Sequence, residues 1–142
     1  MVEFCAKPDD DARVAKFTNA LIIDDEAHVR LFLKLVLAEL GIAQTWEAAN
    51  GQEGLDSVRA HRPELVLVDL NMPVMSGQKV LERLRAEYPE TVVVVVTSQN
   101  TAKVVAEAQR LGASGFILKH APRARVLAAL REVLEECGEA EG

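Results

Sequence analysis

In the segment Leu65–Gly77 (LVLVDLNMPVMSG), a carboxylate stands at the end of what is predicted to be a buried strand. Four apolar residues lead directly into Asp69, and Met-Pro and Ser-Gly pairs follow it. A short aliphatic run bounded by turn residues is typical of a strand that is covered on both faces of a sheet. A charge at its end must be solvated, paired or used in chemistry, because burial of an unpaired carboxylate is costly. Asp69 is therefore the first candidate functional residue.

The rest of the chain alternates short apolar runs with segments of helical periodicity. The predicted strands are 20–24, 42–49, 64–69, 91–97 and 115–119. The predicted helices are 29–40, 51–60, 77–87, 101–111 and 122–134. Such alternation requires a parallel sheet with helices on both faces and right-handed crossovers. We predict an α/β fold, a doubly wound five-stranded parallel sheet of order 2-1-3-4-5 (flavodoxin-like), in which ligands bind at the carboxyl ends of the strands.

Length and composition indicate one globular domain. The chain has 142 residues, of which 49% are hydrophobic and 27% are charged, so a single core is expected. We predict that residues 1–17 form a polar N-terminal extension, partly helical over 11–17. Residues 18–137 are predicted to form the folded domain, and residues 138–142 an acidic C-terminal tail.

Charge and hydropathy argue against several classes of function. The net charge of −6 disfavours a dedicated nucleic-acid surface, because phosphate binding needs concentrated Lys and Arg. The sequence has no run of roughly 18 apolar residues that could span a membrane. Its first residues also lack the apolar segment of a secretory signal. We therefore expect a cytoplasmic protein that binds neither membranes nor nucleic acid directly.

Polar residues follow four of the predicted strands. Asp24 and Asp25 follow the first, Asp69 the third, Thr97 the fourth and Lys119 the fifth. Because the carboxyl ends of parallel strands lie along one edge, these residues should converge. Three neighbouring carboxylates repel one another unless a cation intervenes, and Mg²⁺ favours carboxylates together with waters and a phosphate oxygen. The carboxylates, Mg²⁺ and Lys119 have no net charge together, an arrangement suited to phosphoryl transfer by positioning and electrostatics.

Together these motifs resemble the receiver domain of two-component response regulators, close to the single-domain CheY type. The resemblance covers residues 18–137. It rests on four segments in family order and spacing: 22–26 (IIDDE), 68–77 (VDLNMPVMSG), 95–98 (VVTS) and 115–119 (GFILK). Each segment alone is weakly specific, whereas the set is very specific.

The resemblance implies that Asp69 is the phosphoacceptor of an Mg²⁺-dependent signalling switch. A sensor histidine kinase or a phosphotransfer protein would supply the phosphoryl group from a phosphohistidine. The metal would be held by Asp24, Asp25 and Asp69, together with the backbone carbonyl of Asn71. The chemistry would be self-catalysed phosphoryl transfer and dephosphorylation, so the protein would not be an enzyme that turns over a metabolite.

The resemblance also assigns switch and tuning roles. The hydroxyl of Thr97 would follow the phosphoryl group, and Lys119 would be its cation. Phe116 matches the aromatic residue whose inward rotation is coupled to the threonine in the active state. Asn71 and Gln99 occupy the positions that tune how fast the phosphoryl group is lost, and the Gln99 amide could orient the attacking water.

One feature departs from the family pattern. The family usually follows its lysine with a proline in a cis peptide bond, whereas here Lys119 is followed by His120, with Pro122 two residues later. A cis bond before a residue other than proline costs roughly 3 kcal/mol. We therefore predict that this peptide bond is either trans or held under strain.

The resemblance further implies protein partners. The family uses its fourth helix, fifth strand and fifth helix as an interaction surface, so we expect a downstream protein or a second copy of the chain to bind there. One alternative is an aspartyl-phosphate phosphohydrolase of the haloacid-dehalogenase type. Those enzymes carry a second Asp two residues beyond the nucleophile, where this chain has Asn71. Another alternative is a receiver module excised from a larger multidomain regulator or hybrid kinase.

Overall fold

The computed structural model describes residues 17–72, 74–99 and 101–141, and the side chains of the last helix to residue 137. Residues 1–16, and with them nearly all of the predicted extension and its predicted helix over 11–17, lie outside the described residues. Pro73, within the segment 65–77, also lies outside them.

Within the described residues, five strands alternate with five helices. In chain order these are β1 (Asn19–Ile23), α1 (Ala27–Glu39), β2 (Gln44–Ala48), α2 (Gly51–His61), β3 (Leu65–Asp69), α3 (Gly77–Glu87), β4 (Val92–Thr97), α4 (Ala102–Arg110), β5 (Gly115–Leu118) and α5 (Arg123–Glu141). All neighbouring strands are parallel, and their order is β2-β1-β3-β4-β5. The predicted fold class and strand order are confirmed.

The sheet has an apolar layer on each face, because successive side chains of a strand point to opposite sides. In β1, Ala20 and Ile22 belong to the layer shared with α1 and α5, whereas Leu21 and Ile23 belong to the layer shared with α2, α3 and α4. The valines of β4 divide in the same way. A sheet covered on both faces opens to ligands only at its ends, and this places the candidate site at the carboxyl edge.

The loop after β3 folds back tightly onto the end of that strand. The N–H of Gly77 donates to the carbonyl oxygen of Leu70 at 3.0 Å. The Ser76 hydroxyl then caps α3 by accepting the N–H of Lys79 at 3.3 Å, which satisfies one of the free donors of the first turn. The cap and the return bond therefore fix where α3 begins relative to Asp69.

The structure and the sequence-based boundaries differ at both ends. Phe17, the last residue of the predicted extension, is buried against the layer of α1 and α5. Helix α5 continues to Glu141 and so includes most of the predicted tail 138–142. Glu and Ala are good helix formers, which favours continuation of the helix into this segment. Strand β2 is shorter than predicted. Ile42 is buried in the core, but the pairing of β2 with β1 begins only at Gln44.

Candidate functional site

The carboxyl edge of the sheet carries the buried polar residues of the described core. Asp24 directly follows β1, and Asp69 and Thr97 end β3 and β4. Each is at most 2% exposed. Lys119 directly follows β5, and its side chain is 8% exposed. Since β3 lies between β1 and β4, the sheet topology brings residues distant in sequence to one edge.

Lys119 lies among three carboxylates. Its Nζ is 2.9 Å from Asp69 Oδ2, 2.9 Å from Glu26 Oε1 and 3.2 Å from Asp24 Oδ2. Burial alone would lower the pKa of this ammonium group. The hydrogen bond to Asp69, the close ion pair with Glu26 and the charges of Asp24 and Asp69 outweigh burial and raise the pKa of Lys119 above its ordinary value. One positive charge is therefore shared by three carboxylates.

Burial raises the pKa of both deeply placed carboxyl groups. For Asp24 the main cause is desolvation, and the nearby charge of Asp69 adds to it, against the opposing backbone N–H of Glu26 and the Lys119 charge. For Asp69 desolvation again dominates, opposed by Lys119 and the backbone N–H of Asn71. Burial therefore disfavours the charged form of both carboxyl groups more than Lys119 and the backbone N–H groups favour it.

Backbone N–H groups orient the two buried aspartates. Asp69 Oδ1 accepts the N–H of Asn71 at 3.2 Å, and Asp24 Oδ1 accepts the N–H of Glu26 at 2.8 Å. In each case the donor lies two residues beyond the aspartate, as in an Asx turn. The Oδ2 atom of each carboxylate is the one that faces Lys119.

The carboxylate cluster fits a hard divalent cation. One oxygen from each of Asp24, Asp25 and Asp69 lies within 4.8 Å of the other two. Asp25 is exposed, whereas the other two are buried. Asp24 Oδ2 is buried and accepts no hydrogen bond of normal geometry, although Lys119 Nζ is at ion-pair distance. An oxygen ligand set open on one side and a buried oxygen with unused acceptor capacity suit Mg²⁺, which retains positions for water and phosphate.

Thr97 ends β4, Gln99 lies in the loop between β4 and α4, and Phe116 lies on β5, three residues before Lys119. Thr97 Oγ1 accepts the N–H of Gln99 at 3.2 Å, and the N–H of Lys119 donates to the Thr97 carbonyl oxygen at 2.6 Å. Phe116 is opposite Val95 in the β4–β5 register and packs, half-buried, against the layer of α2, α3 and α4. The side chains of Gln99 and Asn71 are exposed.

Sequence reasoning gave no role to two residues that contact the site. Glu26 binds Lys119, and its side chain is 42% exposed. Arg30 donates from Nη1 to the carbonyl oxygen of Asp24 at 2.7 Å and from Nε to Glu47 Oε1 at 2.9 Å. Glu26 completes the acidic run after β1, and Arg30 follows it by one helical turn, so the spacing offered a weak signal for both.

The peptide bond between Lys119 and His120 is trans, as are the other peptide bonds of the described residues. His120 instead has a φ of 69°, a left-handed conformation that histidine adopts more readily than bulkier residues do. The N–H of Ala121 donates to the Leu118 carbonyl oxygen at 3.2 Å, which closes a tight turn before α5. Of the two possibilities predicted for this peptide bond, a trans bond or a strained one, the trans bond is present.

The sequence model of one protein family, the response regulator receiver domain, matches residues 20–131 of this chain. This chain belongs to that family. The chemotaxis protein CheY of Thermotoga maritima is 32% identical over 115 residues, which cover 81% of this chain and 96% of that protein. Sporulation initiation phosphotransferase F of Bacillus subtilis is 37% identical over 93 residues, which cover 66% of this chain and 74% of that protein.

Solved receiver domains share the fold. A chain of the CheX–CheY–BeF3–Mg²⁺ complex from Borrelia burgdorferi matches with a TM-score of 0.77 and 26% identity, over 81% of this chain and 87% of that chain. This chain is thus a CheY-like receiver domain, a module of two-component signalling. No helix among its described residues is long and apolar enough to cross a membrane.

Proposed function

We propose that this receiver domain is a phosphorylation-dependent switch in which Asp69 accepts a phosphoryl group. The observation that carries the proposal is the contact of 2.9 Å between Lys119 Nζ and Asp69 Oδ2, next to a carboxylate cluster that fits Mg²⁺. The phosphoryl donor is a phosphohistidine on a sensor histidine kinase or phosphotransfer protein. This agrees with the relatives, which include a chemotaxis protein and a phosphotransferase of sporulation.

The transfer requires one bond to form and one to break. A carboxylate oxygen of Asp69 attacks the phosphorus, and the bond between phosphorus and the donor imidazole nitrogen breaks, leaving its electron pair on the imidazole. Mg²⁺, held by Asp24, Asp25, Asp69 and the Asn71 carbonyl, would supply positive charge to the transferring oxygens. The ammonium group of Lys119 neutralises the charge that builds up on them.

The added phosphoryl group also supplies the signal. It adds roughly one negative charge at the edge of the sheet, and the Thr97 hydroxyl and Lys119 turn towards its oxygens. Movement at the end of β4 frees space for Phe116, which borders a cavity of about 100 Å³ between α4 and β5. The surface formed by α4, β5 and α5 then changes shape, and a downstream protein recognises it.

The phosphohydrolase alternative needs a general acid that this site does not supply at the expected position. Two residues beyond Asp69 is Asn71, whose side-chain amide is too weakly acidic to transfer a proton to a leaving group. Asn71 instead contributes its backbone N–H to Asp69 Oδ1. The geometry therefore favours a switch that holds its phosphoryl group over an enzyme that releases it at each turnover.

Incubation with acetyl phosphate and Mg²⁺ is expected to add a single phosphoryl group to the wild-type domain. Acetyl phosphate is a suitable donor because the chemistry lies in the acceptor site, and acetate leaves in place of the imidazole. Intact mass spectrometry measures the adduct. A parallel sample with EDTA is the control, and absence of the adduct with Mg²⁺ present, or an equal adduct in EDTA, would contradict the proposal.

The Gln99→Ala variant is expected to retain its phosphoryl group longer than the wild type. The exposed Gln99 amide lies next to Thr97, where it can orient the water that hydrolyses the aspartyl phosphate. Loss of one orienting group should extend the lifetime roughly two- to fivefold. Decay of the phosphorylated mass peak after donor removal gives the lifetime. The matched control is Gln52→Ala, an exposed glutamine of α2, and an unchanged lifetime in Gln99→Ala would count against the role.

A further inference from the structure

Lys119 has one carboxylate partner that does not belong to the cluster proposed to bind Mg²⁺. Glu26 Oε1 lies 2.9 Å from Lys119 Nζ, as close as Asp69 Oδ2. Two of the three partners, Asp24 and Asp69, also belong to the carboxylate cluster. A bound cation would share their charge. Among the described carboxylate partners of Lys119, Glu26 would then be the one whose charge is not shared with a metal ion.

Glu26 also changes the charge balance of the site. The three aspartates, Mg²⁺ and Lys119 together have no net charge, so adding the Glu26 carboxylate leaves one negative charge before any phosphoryl group arrives. A phosphoryl group adds roughly one more. The Glu26 carboxylate and a phosphoryl group near Lys119 carry like charges and repel each other. This repulsion is only partly screened, because the Glu26 side chain is half-exposed.

The contact can be broken without unfolding the loop. The backbone of Glu26 is anchored, because its N–H donates to Asp24 Oδ1 at 2.8 Å and its carbonyl oxygen accepts the N–H groups of Val29 and Arg30 at 3.1 Å. Its side chain, in contrast, is 42% exposed. The Oε1 atom that faces Lys119 is buried and accepts no hydrogen bond of normal geometry. Because other parts of the side chain reach solvent, side-chain rotation can move the carboxylate away from Lys119 without a change in the backbone.

We propose that Glu26 is a positioning residue that competes with the phosphoryl group for Lys119 and thereby weakens the phosphorylated state. The inference rests on the proposed function, because it concerns the cation of the same site. In the unphosphorylated domain Glu26 holds Lys119 beside Asp69. After transfer Lys119 must exchange Glu26 for a phosphoryl oxygen, and this exchange lowers the gain from binding that oxygen.

Beryllofluoride, a phosphoryl mimic, measures this competition at equilibrium. With saturating Mg²⁺, titration followed by ¹⁹F NMR is expected to show that Glu26→Gln binds beryllofluoride roughly three- to tenfold more tightly than the wild type. Glu26→Ala, which removes the carboxylate without adding an amide, should change the affinity in the same direction. The difference from wild type should decrease as the salt concentration rises, because screening weakens the lost repulsion.

The control and a second readout separate this role from a general charge effect. Glu39→Gln removes another exposed carboxylate of α1, which pairs with Arg123, and should leave the beryllofluoride affinity within about twofold of wild type. Calorimetry of Mg²⁺ alone should show no gain in metal affinity for Glu26→Gln. Beryllofluoride binding by both Glu26 variants no tighter than by wild type, or an equal gain in Mg²⁺ affinity, would overturn the inference. Absence of beryllofluoride binding by the wild type would instead overturn the proposed function.

Discussion

Replacing Asp69 by Asn is expected to abolish the phosphoryl adduct while the domain stays folded. The amide of Asn cannot attack phosphorus as a carboxylate does, and the other oxygens near Lys119 belong to Asp24 and Glu26, which lie on the loop after β1. Intact mass after incubation with acetyl phosphate and Mg²⁺ measures the loss. Asp56→Asn, on the exposed face of α2, is the matched control. An undiminished adduct in Asp69→Asn would show that another side chain is the acceptor.

The same variant is expected to be more stable than the wild type in the absence of metal. Desolvation raises the pKa of Asp69 from its ordinary value of 3.8, so the folded state binds this proton more tightly than the unfolded state does. Near pH 7 the wild type must bury the charge, whereas Asn is neutral and leaves Lys119 paired with Asp24 and Glu26. We expect a gain on the order of 1 kcal/mol, or about 3 °C in Tm.

The pH dependence of the stability difference between Asp69→Asn and the wild type provides a check on the sign of that difference. An acid whose pKa is raised by folding loses stability as the pH rises from its unfolded value through its folded value. The advantage of Asp69→Asn should therefore be largest at pH 7 and decrease as the pH falls towards the ordinary pKa of aspartate. Urea unfolding in EDTA at pH 5, 6 and 7 measures it. An advantage that grows on acidification would contradict the assigned cause.

The fold could be predicted from local sequence because each element carries its own signal. The valine run of β4 and the helical spacing of Val29, Leu33 and Val36 depend only on neighbours in the chain. The strand-end residues could be located in the same way, because parallel connectivity places every strand end at one edge. These signals do not depend on how far apart two residues lie in sequence.

Side-chain partners across the site could not be predicted in this way. Nothing local to Glu26 shows that Lys119 contacts it, because the two residues follow different strands and meet only when β1 and β5 are assembled in one sheet. Phe17 is a similar case, since only the assembled core shows that an aromatic residue before β1 is needed to cover it. The sequence predicted which residues lie at the edge, but not how their charges are paired.

Replacing Gly77 by Ala is expected to destabilise the domain strongly, although alanine is the better helix former. A Cβ at position 77 would lie 2.6 Å from the Cα of Leu70 and would also clash with the carbonyl oxygen of Asp69. Both are backbone atoms and cannot rotate away. The clash should cost about 3 kcal/mol, which exceeds the gain in helix propensity of at most about 1 kcal/mol. Thermal unfolding should show a loss of about 10 °C in Tm.

Gly41→Ala separates this steric effect from the general cost of replacing glycine. Gly41 has a φ of 96° but no atom within 4 Å of an added Cβ, so its replacement should cost only about 1 kcal/mol of backbone strain. In Gly77→Ala the displaced backbone belongs to Asp69, the proposed phosphoacceptor. Phosphorylation by acetyl phosphate should therefore slow in the folded fraction, whereas Gly41→Ala should keep the wild-type rate. If Gly77→Ala were as stable as Gly41→Ala, the close return of the loop onto Asp69 would not exist in solution. The two variants thus test whether the return of the loop at Gly77 sets the position of Asp69, the proposed phosphoacceptor.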